Sequence, residues 1–426
     1  VIVLFTDTYR PDHIAANGHP AVRTPELDDM VSKMVTFNAA TISSFPTIPM
    51  RTDWFTGRFS HSRHPWRELP QEEITLPDVL GAAGYRTQLI ADTTHMLNAL
   101  FWKHFDCHHF NRGHESDTPM FRLNEPVERV IGDLRKTRVE AHNPGDKPTL
   151  CDMHAHTNFR QRYEDECHCM KLADHVCRFL EDNYRAGPFM LWADFFDVHE
   201  PWFPPQYLID HYQPGYDGEP MAHPNYREAD VYEPEELENL RARYMGMCTM
   251  LSKSVGRIWR LIEDTDLIDN TIVVFMSDHG MYLGERNRTG KTLIMSGKTD
   301  VFPFHCEIGD ICWSMHVPEM LGVSGAKGGQ TRPHLAQAPD LMPTLLELCG
   351  VEPPKEAKIE GVSLAAALGG DPAPVRDVAV LASASGEVCR RPAITDGQWK
   401  LLLFEPPEPE APQLYHVADD PTEQHN

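Results

Sequence analysis

Two kinds of hydrophobic pattern alternate along this chain. Short, mostly apolar segments predict buried strands of a parallel sheet at 1–5, 86–90, 189–196 and 271–276. Apolar residues at helical spacing predict helices at 76–84, 159–183, 235–263 and 340–349. Because helices alternate with buried strands, we expect an α/β fold in which a large, mainly parallel sheet lies between helices.

Acidic or histidine side chains come directly after each of the four predicted strands. They are Asp7, Asp92, Asp197 with His199, and Asp278 with His279. In open α/β sheets, ligands bind outside the carboxyl ends of the strands. The pattern therefore predicts a functional site at this edge of the sheet.

Three stretches depart from the alternation. Residues 110–150 are polar and poorly periodic, and they predict an insertion that we place at about 110–156. Residues 214–234 are rich in Pro, Gly and acidic residues and predict a loop. From about residue 350 the chain is rich in Pro and has short strands. We therefore expect a large α/β domain at 1–349 and a small C-terminal subdomain with a short antiparallel sheet at 350–426.

Composition limits the function classes. The chain has 426 residues, of which 41% are hydrophobic and 24% charged, as is ordinary for a soluble globular protein. Its net charge of −24 argues against nucleic acid and against an anionic membrane as partners. No segment approaches the roughly 18 apolar residues of a membrane span. An anionic substrate would therefore need a site that is locally positive. The sequence leaves open whether the protein forms a homo-oligomer.

The ten cysteines show neither zinc-ribbon spacing nor the density of a small disulfide scaffold. Their scatter favours reduced thiols and hence a cytoplasmic location. Val1 already belongs to an apolar segment, so the natural start of the chain, and any leader before it, are left open. A cluster of His and Cys residues between 107 and 169 allows a structural zinc site, although Cys169 and Cys177 fit the apolar face of a helix.

The segment 47–58 is the most specific motif in the chain. It contains Thr47, Pro49 and Arg51, followed by Thr56-Gly57. This arrangement resembles the sulfatase signature, in which a nucleophile is followed by Pro, Arg and then Thr-Gly. Thr47 stands where sulfatases carry the Cys or Ser that is converted to formylglycine.

Other segments resemble that family in the same order along the chain. They are Asp7 after the first strand, His199 in His-Glu-Pro-Trp, Asp278 and His279 in Ser-Asp-His-Gly, Lys291 in Thr-Gly-Lys, Phe304 to Ile308, and the closing segments at 361–364 and 414–426. The resemblance covers nearly the whole chain. It implies the sandwich fold of the alkaline phosphatase superfamily, with 1–349 as the catalytic domain.

The resemblance also implies roles for individual residues. Metal ligands would be Asp7, Thr47, Asp278 and His279; catalytic residues would be Thr47, Arg51, His199 and Lys291; substrate-binding residues would be Thr8, Thr94, His95 and His305. One divalent ion, Mn²⁺, Zn²⁺ or Ca²⁺, would activate the Thr47 hydroxyl. Arg51 would hold the nucleophile loop and steady the alkoxide. Lys291, with Lys298 as its competitor, would act with His199 on the transferred group. A second ion bound by Asp197, His199 and His305 is an alternative.

Departures from the sulfatase pattern change the expected substrate. Thr8 replaces a second Asp, His279 replaces a common Asn, and Asp92-Thr-Thr94-His95 replaces a Gly-Lys-x-His segment. These features are more similar to the phosphonate monoester hydrolase and phosphodiesterase branch. Oxidation of Thr47 would yield a ketone, whereas formylglycine is an aldehyde. We therefore expect hydrolysis of a small anionic phosphate or phosphonate ester through a phospho-threonine. A sulfatase without formylglycine and a non-catalytic anion-binding homologue are the alternatives.

Overall fold

A computed structural model describes residues 1–63, 65–115, 117, 119, 154, 157–158, 161–295, 298–384, 391–404 and 411–426. Most of the predicted insertion at about 110–156 lies outside these residues. The division of the chain at residue 350 stays a prediction.

Strands of the described residues form two main sheets and two hairpins. In chain order they are β1 (Ile2–Thr6), β2 (Val35–Thr41), β3 (Ser44–Phe45), β4 (Arg86–Ala91), β5 (Cys107–Phe110), β6 (Phe189–Phe195), β7 (Val273–Ser277), β8 (Tyr282–Leu283), β9 (Thr289–Gly290), β10 (Thr292–Met295), β11 (Lys298–Val301), β12 (Trp313–His316), β13 (Gln330–Gln337), β14 (Ala379–Ser383), β15 (Ala393–Thr395), β16 (Trp399–Leu402) and β17 (Gln413–His416).

The larger sheet has the strand order β13-β2-β12-β7-β1-β6-β4-β5. Only β12 runs antiparallel to its neighbours among these described strands. The smaller sheet has the order β17-β16-β15-β14-β3, and its four C-terminal strands are antiparallel. Both predicted sheets are confirmed. The sequence pattern did not reveal that β3, from the N-terminal part of the chain, joins the smaller sheet in parallel with β14.

The described helices are α1 (Pro25–Ser32), α2 (Thr47–Thr56), α3 (Leu76–Ala82), α4 (Thr94–Asn98), α5 (His168–Asn183), α6 (Gln206–Tyr212), α7 (Pro234–Asp264), α8 (Cys306–Gly309), α9 (Leu341–Leu348) and α10 (Ala365–Leu368). Single 3₁₀ turns lie between them, one of them in the predicted 214–234 loop at Ala229–Val231. No helix of the described residues is long and apolar enough to cross a membrane.

Strand β1 explains why the sheet lies between two helical layers. All five of its residues are buried, and successive side chains enter different apolar cores. Val3 and Phe5 pack into the core that holds α2 and α9, whereas Ile2 and Leu4 pack into the core that holds α5 and α7. A strand covered on both faces is apolar at nearly every position, which is the pattern that predicted β1.

One predicted helix begins later than its pattern indicated. Apolar spacing predicted a helix from 159, but α5 begins at His168. The Glu166 carboxylate accepts hydrogen bonds from the backbone nitrogens of Arg162 and Tyr163, at 2.6 and 3.1 Å. These bonds hold a 3₁₀ turn at Glu164–Glu166 in place of the first helical turns.

Candidate active site

Asp7, Asp278 and His279 meet at the carboxyl ends of β1 and β7. These strands are parallel neighbours, with Thr6 paired to Ser277, so the residues that follow them are brought together. One ligand atom from each of the three side chains lies within 4.8 Å of the others, and all three are fully buried. Gly280 allows this close packing, because a Cβ there would lie 2.2 Å from the Glu307 carbonyl oxygen.

His279 is oriented as a metal ligand or hydrogen-bond acceptor. Its Nδ1 lies 3.1 Å from the Gly280 carbonyl oxygen, which can only accept a hydrogen bond, so Nδ1 carries the proton. The lone pair is then on Nε2, which lies 3.5 Å from Asp278 Oδ2 and 3.4 Å from Thr47 Oγ1. Burial, followed by the charge of Lys291, lowers the pKa of His279 to about 3, so the ring is neutral at neutral pH.

Thr47 is the first residue of α2, and every residue of that helix is buried. Its hydroxyl therefore lies at a helix N-terminus, where free backbone N–H groups and the helix dipole favour negative charge. Gly57 ends the helix with a positive φ of 65°. The sequence motif at 47–58 therefore spans one whole helix, which begins at Thr47 and ends at Thr56-Gly57.

Arg51 lies one turn after Thr47 and is fully buried. Its Nη1 donates to Asp7 Oδ2 at 2.9 Å and to Asp278 Oδ2 at 3.2 Å. Its described contact with Thr47 is with the carbonyl oxygen, at 3.4 Å. This contact fits the expected role of Arg51 in holding the nucleophile segment, and its role toward the Thr47 alkoxide stays a prediction. The side chain lies against the carboxylates, because these stronger acceptors take its donors.

Asp194, inside β6, was not predicted as part of the site. Its carboxylate accepts two hydrogen bonds from Arg51, from Nε at 3.1 Å and from Nη2 at 2.8 Å, and one from Trp192 at 3.1 Å. Asp194 is fully buried. A charged residue in the middle of a predicted buried strand was the available signal, since a buried charge needs a partner.

The carboxyl groups of Asp7 and Asp278 differ in the direction of their pKa shifts. Burial raises the pKa of Asp7, but the charges of Arg51 and Lys291 outweigh it and lower that pKa well below its usual range. Burial and the neighbouring Asp7 charge raise the pKa of Asp278 well above its usual range. The two carboxyl groups therefore titrate together, and Asp278 is the one that keeps its proton to higher pH. Two carboxylates and a neutral imidazole fit a divalent metal ion, which would replace that proton.

Thr8 links the first strand to this centre. Its backbone nitrogen donates to Asp278 Oδ1 at 2.9 Å, and its hydroxyl donates to Asp7 Oδ1 at 2.6 Å. Thr8 has a φ of 59°, which is costly for a β-branched residue. The Tyr244 hydroxyl donates to the Thr8 carbonyl oxygen at 2.9 Å and helps to hold this conformation.

Lys291 and His199 border the same centre. Lys291 Nζ lies 3.2 Å from Thr8 Oγ1 and 3.8 Å from Asp7 Oδ1. His199 Nδ1 lies 2.7 Å from the Glu200 carbonyl oxygen, which leaves the lone pair of a neutral ring on Nε2. The Glu200 side chain, also missed in the sequence, accepts a hydrogen bond from Tyr226. The side chain of the competing Lys298 lies outside the described residues.

Thr94 and His95 lie at the start of α4, next to this group of residues. The His95 ring makes edge contacts with Phe196 and Trp66, with centroids 5.5 and 5.3 Å apart. Burial lowers the pKa of His95 to about 3, and the nearby charges of Asp7 and Arg51 also affect it. The charges of Asp7 and Arg51 thus reach His95, and substrate contact stays a prediction for both Thr94 and His95.

His305 is not brought to the centre by its described contacts. Its Nδ1 lies 2.7 Å from the Tyr282 hydroxyl, and its Nε2 lies 3.1 Å from Gln413 Oε1. Both ring nitrogens are therefore engaged by β8 and β17. The trio of Asp197, His199 and His305 that we expected as an alternative second metal site is not among the groups of described residues whose ligand atoms lie within 4.8 Å of one another.

Comparisons with known proteins show the family and the fold of this chain. The sequence profile of the sulfatase family matches residues 1–351. An arylsulfatase of Clostridium perfringens is 24% identical over 390 residues, which cover 85% of this chain and 77% of that protein. The multifunctional alkaline phosphatase superfamily protein PehA of Trinickia caryophylli is 24% identical over 405 residues, covering 83% and 74%. The solved structure of the phosphonate monoester hydrolase of Agrobacterium radiobacter has a TM-score of 0.71 at 19% identity, covering 100% of this chain and 90% of that one.

Proposed function

This chain belongs to the sulfatase family of ester hydrolases, and on that premise we propose that it hydrolyses small phosphate or phosphonate esters with Thr47 as nucleophile and one divalent metal ion. The observation that supports this most is the position of Thr47 Oγ1. It lies at the N-terminus of a buried helix, 3.4 Å from His279 Nε2 and beside the carboxylates of Asp7 and Asp278. A hydroxyl in these surroundings is suited to lose its proton and attack.

Asp7, Asp278, His279 and the Thr47 oxygen would hold the ion. Carboxylate oxygens with one imidazole suit Mn²⁺ or Zn²⁺ slightly better than Ca²⁺, which prefers oxygen ligands alone. When bound, such an ion lowers the pKa of a neighbouring hydroxyl and polarises the ester. The lone pair of His279 is already on the correct nitrogen, because Gly280 accepts the other ring proton.

The reaction has two steps at Thr47. In the first, the Thr47 hydroxyl gives up its proton to water, Oγ attacks phosphorus, the bond from phosphorus to the leaving oxygen breaks, and a phospho-threonine forms. Lys291 and His199 neutralise charge on the transferred group, and one of them, Lys291 or a protonated His199, gives a proton to the leaving oxygen. In the second step, water attacks phosphorus, the bond to Oγ breaks, and Thr47 regains its proton. The helix N-terminus favours the negative charge on Oγ in both steps.

The threonine itself favours phosphorus over sulfur. A formylglycine sulfatase releases sulfate from an aldehyde hydrate, and the methyl group of Thr47 prevents formation of that aldehyde. A sulfo-threonine would have to be released by hydrolysis, which is harder than hydrolysis of a phospho-threonine. A sulfuric ester is the second candidate substrate, because the curated relatives include proteins named as sulfatases.

A substrate panel tests the proposal. We would assay p-nitrophenyl phosphate, a phosphodiester, a phosphonate monoester and p-nitrophenyl sulfate with added Mn²⁺, Zn²⁺ or Ca²⁺. Thr47→Ala should abolish turnover of the phosphorus esters. Thr56→Ala is the matched control, because the Thr56 hydroxyl donates to the Thr52 carbonyl oxygen inside the same helix. Rapid quenching followed by mass spectrometry should locate one phosphoryl group on Thr47.

Each result has a definite meaning. Turnover of sulfate in preference to every phosphorus ester would favour the sulfatase alternative. Retained activity in Thr47→Ala would remove Thr47 as nucleophile. Binding of phosphate without turnover of any ester would favour a non-catalytic anion-binding protein.

A further inference from the structure

A second group of potential metal ligands lies apart from the centre at Thr47. It consists of Asp92 at the end of β4, His114 after β5, and His168 at the start of α5. One ligand atom of each lies within 4.8 Å of the others, and each residue is only 2% exposed. Three distant parts of the chain are thus brought to one buried point.

Each of the three side chains has a buried polar atom without a hydrogen-bond partner among the described residues. These atoms are Asp92 Oδ2, His114 Nδ1 and His168 Nδ1. The first two lie 4.0 Å apart. Leaving one such atom without a partner costs about 1–3 kcal/mol, so three at one place call for a shared partner.

Neighbouring groups orient the lone pair of His168. The Asn158 amide nitrogen donates to the Gly113 and His154 carbonyl oxygens, at 2.6 and 3.2 Å. The Asn158 amide oxygen therefore faces His168 Nε2, at 3.1 Å, and accepts its proton. Nδ1 of His168 is left as the nitrogen that can bind a metal ion. This is the arrangement in which a protein usually holds a metal-binding histidine.

A carboxylate also lies near the other ring nitrogen of His114, at a distance longer than a hydrogen bond. Its Nε2 lies 3.7 Å from Asp197 Oδ1, and Asp197 Oδ2 accepts a hydrogen bond from the Cys169 nitrogen at 2.9 Å. A carboxylate on the far side of the imidazole favours the proton on Nε2 and the lone pair on Nδ1. His154, 6.0 Å away between ring centroids, differs because its Nδ1 already accepts from the Glu115 nitrogen.

We propose that Asp92, His114 and His168 bind a divalent transition-metal ion, for which Zn²⁺ is the best match. Two imidazoles and one carboxylate are a usual zinc donor set, with a fourth position left for water. The rings of His114 and His168 are stacked, with centroids 4.6 Å apart. Because a metal bond lies in the plane of the ring, one ring must turn when the ion binds.

This site is separate from the ion proposed at Thr47. The Phe196 ring lies between them, stacked on His199 at 4.1 Å and in edge contact with His114 at 5.0 Å. The ion bound by Asp92, His114 and His168 would link both histidines to the end of the central sheet. In the sequence, His114 and His168 lie on either side of residues 116–160. The ion would therefore stabilise the fold near the first centre and would not take part in the reaction at Thr47.

The test counts metal ions in the full chain. Chelator-treated protein is loaded with Zn²⁺, dialysed and analysed by mass spectrometry of the metal. Wild type should hold two equivalents. Asp278→Asn, which damages only the first centre, should hold one, and adding His168→Gln to it should remove that one. His109→Gln is the control, because His109 is an exposed histidine on nearby β5.

A spectroscopic measurement keeps the test decisive if His168→Gln folds poorly. Titration of Asp278→Asn with Co²⁺, which leaves the three ligands intact, should give the visible bands of a site of low coordination number at one equivalent. Absence of zinc and cobalt binding by Asp278→Asn would overturn the proposal. Equal zinc content with and without His168→Gln would also overturn it.

Discussion

Replacement of Arg51 tests whether this buried guanidinium holds the acidic centre together. Arg51→Lys keeps the positive charge but loses the bidentate interaction with the Asp194 carboxylate, in which the two hydrogen bonds measure 3.1 and 2.8 Å. A hydrogen bond to a charged group contributes about 1.5–3 kcal/mol, so the free energy of unfolding should fall by about 3 kcal/mol or more. Arg51→Met removes the charge as well, and breaking a buried ion pair costs about 3–5 kcal/mol.

Urea unfolding of the chelator-treated variants measures this effect. The signal is tryptophan fluorescence, since Trp192 donates a hydrogen bond to Asp194 and lies near Arg51. The control is Arg257→Lys, because the ion pair of Arg257 with Asp174 is half-exposed, with 50% and 40% of the side chains accessible. Such a surface pair contributes about 0–1 kcal/mol. An unchanged m value in every variant would show that the midpoint reports stability alone.

The metal ion adds a second readout to the same experiment. In Arg51→Met, Asp7 and Asp278 lose the cation that lies 2.9 and 3.2 Å from them. Added Mn²⁺ should therefore raise the stability of Arg51→Met more than that of wild type. The reasoning is refuted if the free energy of unfolding of Arg51→Lys lies within about 1 kcal/mol of the wild-type value, because a loss that small is typical of a surface ion pair.

Three further outcomes are expected. His279→Asn should weaken Mn²⁺ binding by more than about tenfold, equal to about 1.4 kcal/mol by calorimetry, and an unchanged affinity would remove His279 from the ligands. Burial, partly offset by hydrogen bonds from serines, raises the pKa of Asp53 from the usual 3.8 to about 7. The contribution of Asp53 to stability is therefore complete below pH 3.8 and is lost as the pH rises through 7. Asp53→Asn should therefore flatten the dependence of the unfolding free energy on pH between about 4 and 7, and equal slopes would contradict this. Inorganic phosphate should bind the metal-loaded protein at least about tenfold more tightly than the chelator-treated protein, a difference of about 1.4 kcal/mol.

The parts of the site that the sequence predicted are those determined by strand order and local pattern. Asp7 and the Asp278-His279 pair each follow a continuous apolar run, and parallel neighbours deliver such residues to one edge. Thr47 was located by the spacing of its motif. Each of these signals is contained in fewer than about 15 consecutive residues, the window in which periodicity and motifs can be read.

The parts that were missed depend on pairing between distant segments. Arg51 and Asp194 are 143 positions apart, and no local pattern indicates which buried basic residue pairs with which buried acidic residue. His305 was assigned to the site by resemblance, but its ring lies between β8 and β17 because Tyr282 and Gln413 engage both nitrogens. Asp92, His114 and His168 likewise converge only after β4, β5 and α5 have packed.

The charges of the site explain how so acidic a protein can act on an anion. Four buried carboxyl groups, Asp7, Asp194, Asp278 and Glu200, surround two cations, Arg51 and Lys291. With all four ionised the sum is −2, which repels an anionic ester in a site of low dielectric constant. Burial and the Asp7 charge raise the pKa of Asp278 well above its usual range, so a proton on this carboxyl group would relieve part of the repulsion. A divalent ion brings the sum to zero and displaces that proton. Anion binding should therefore depend on the metal rather than on the overall charge of the chain.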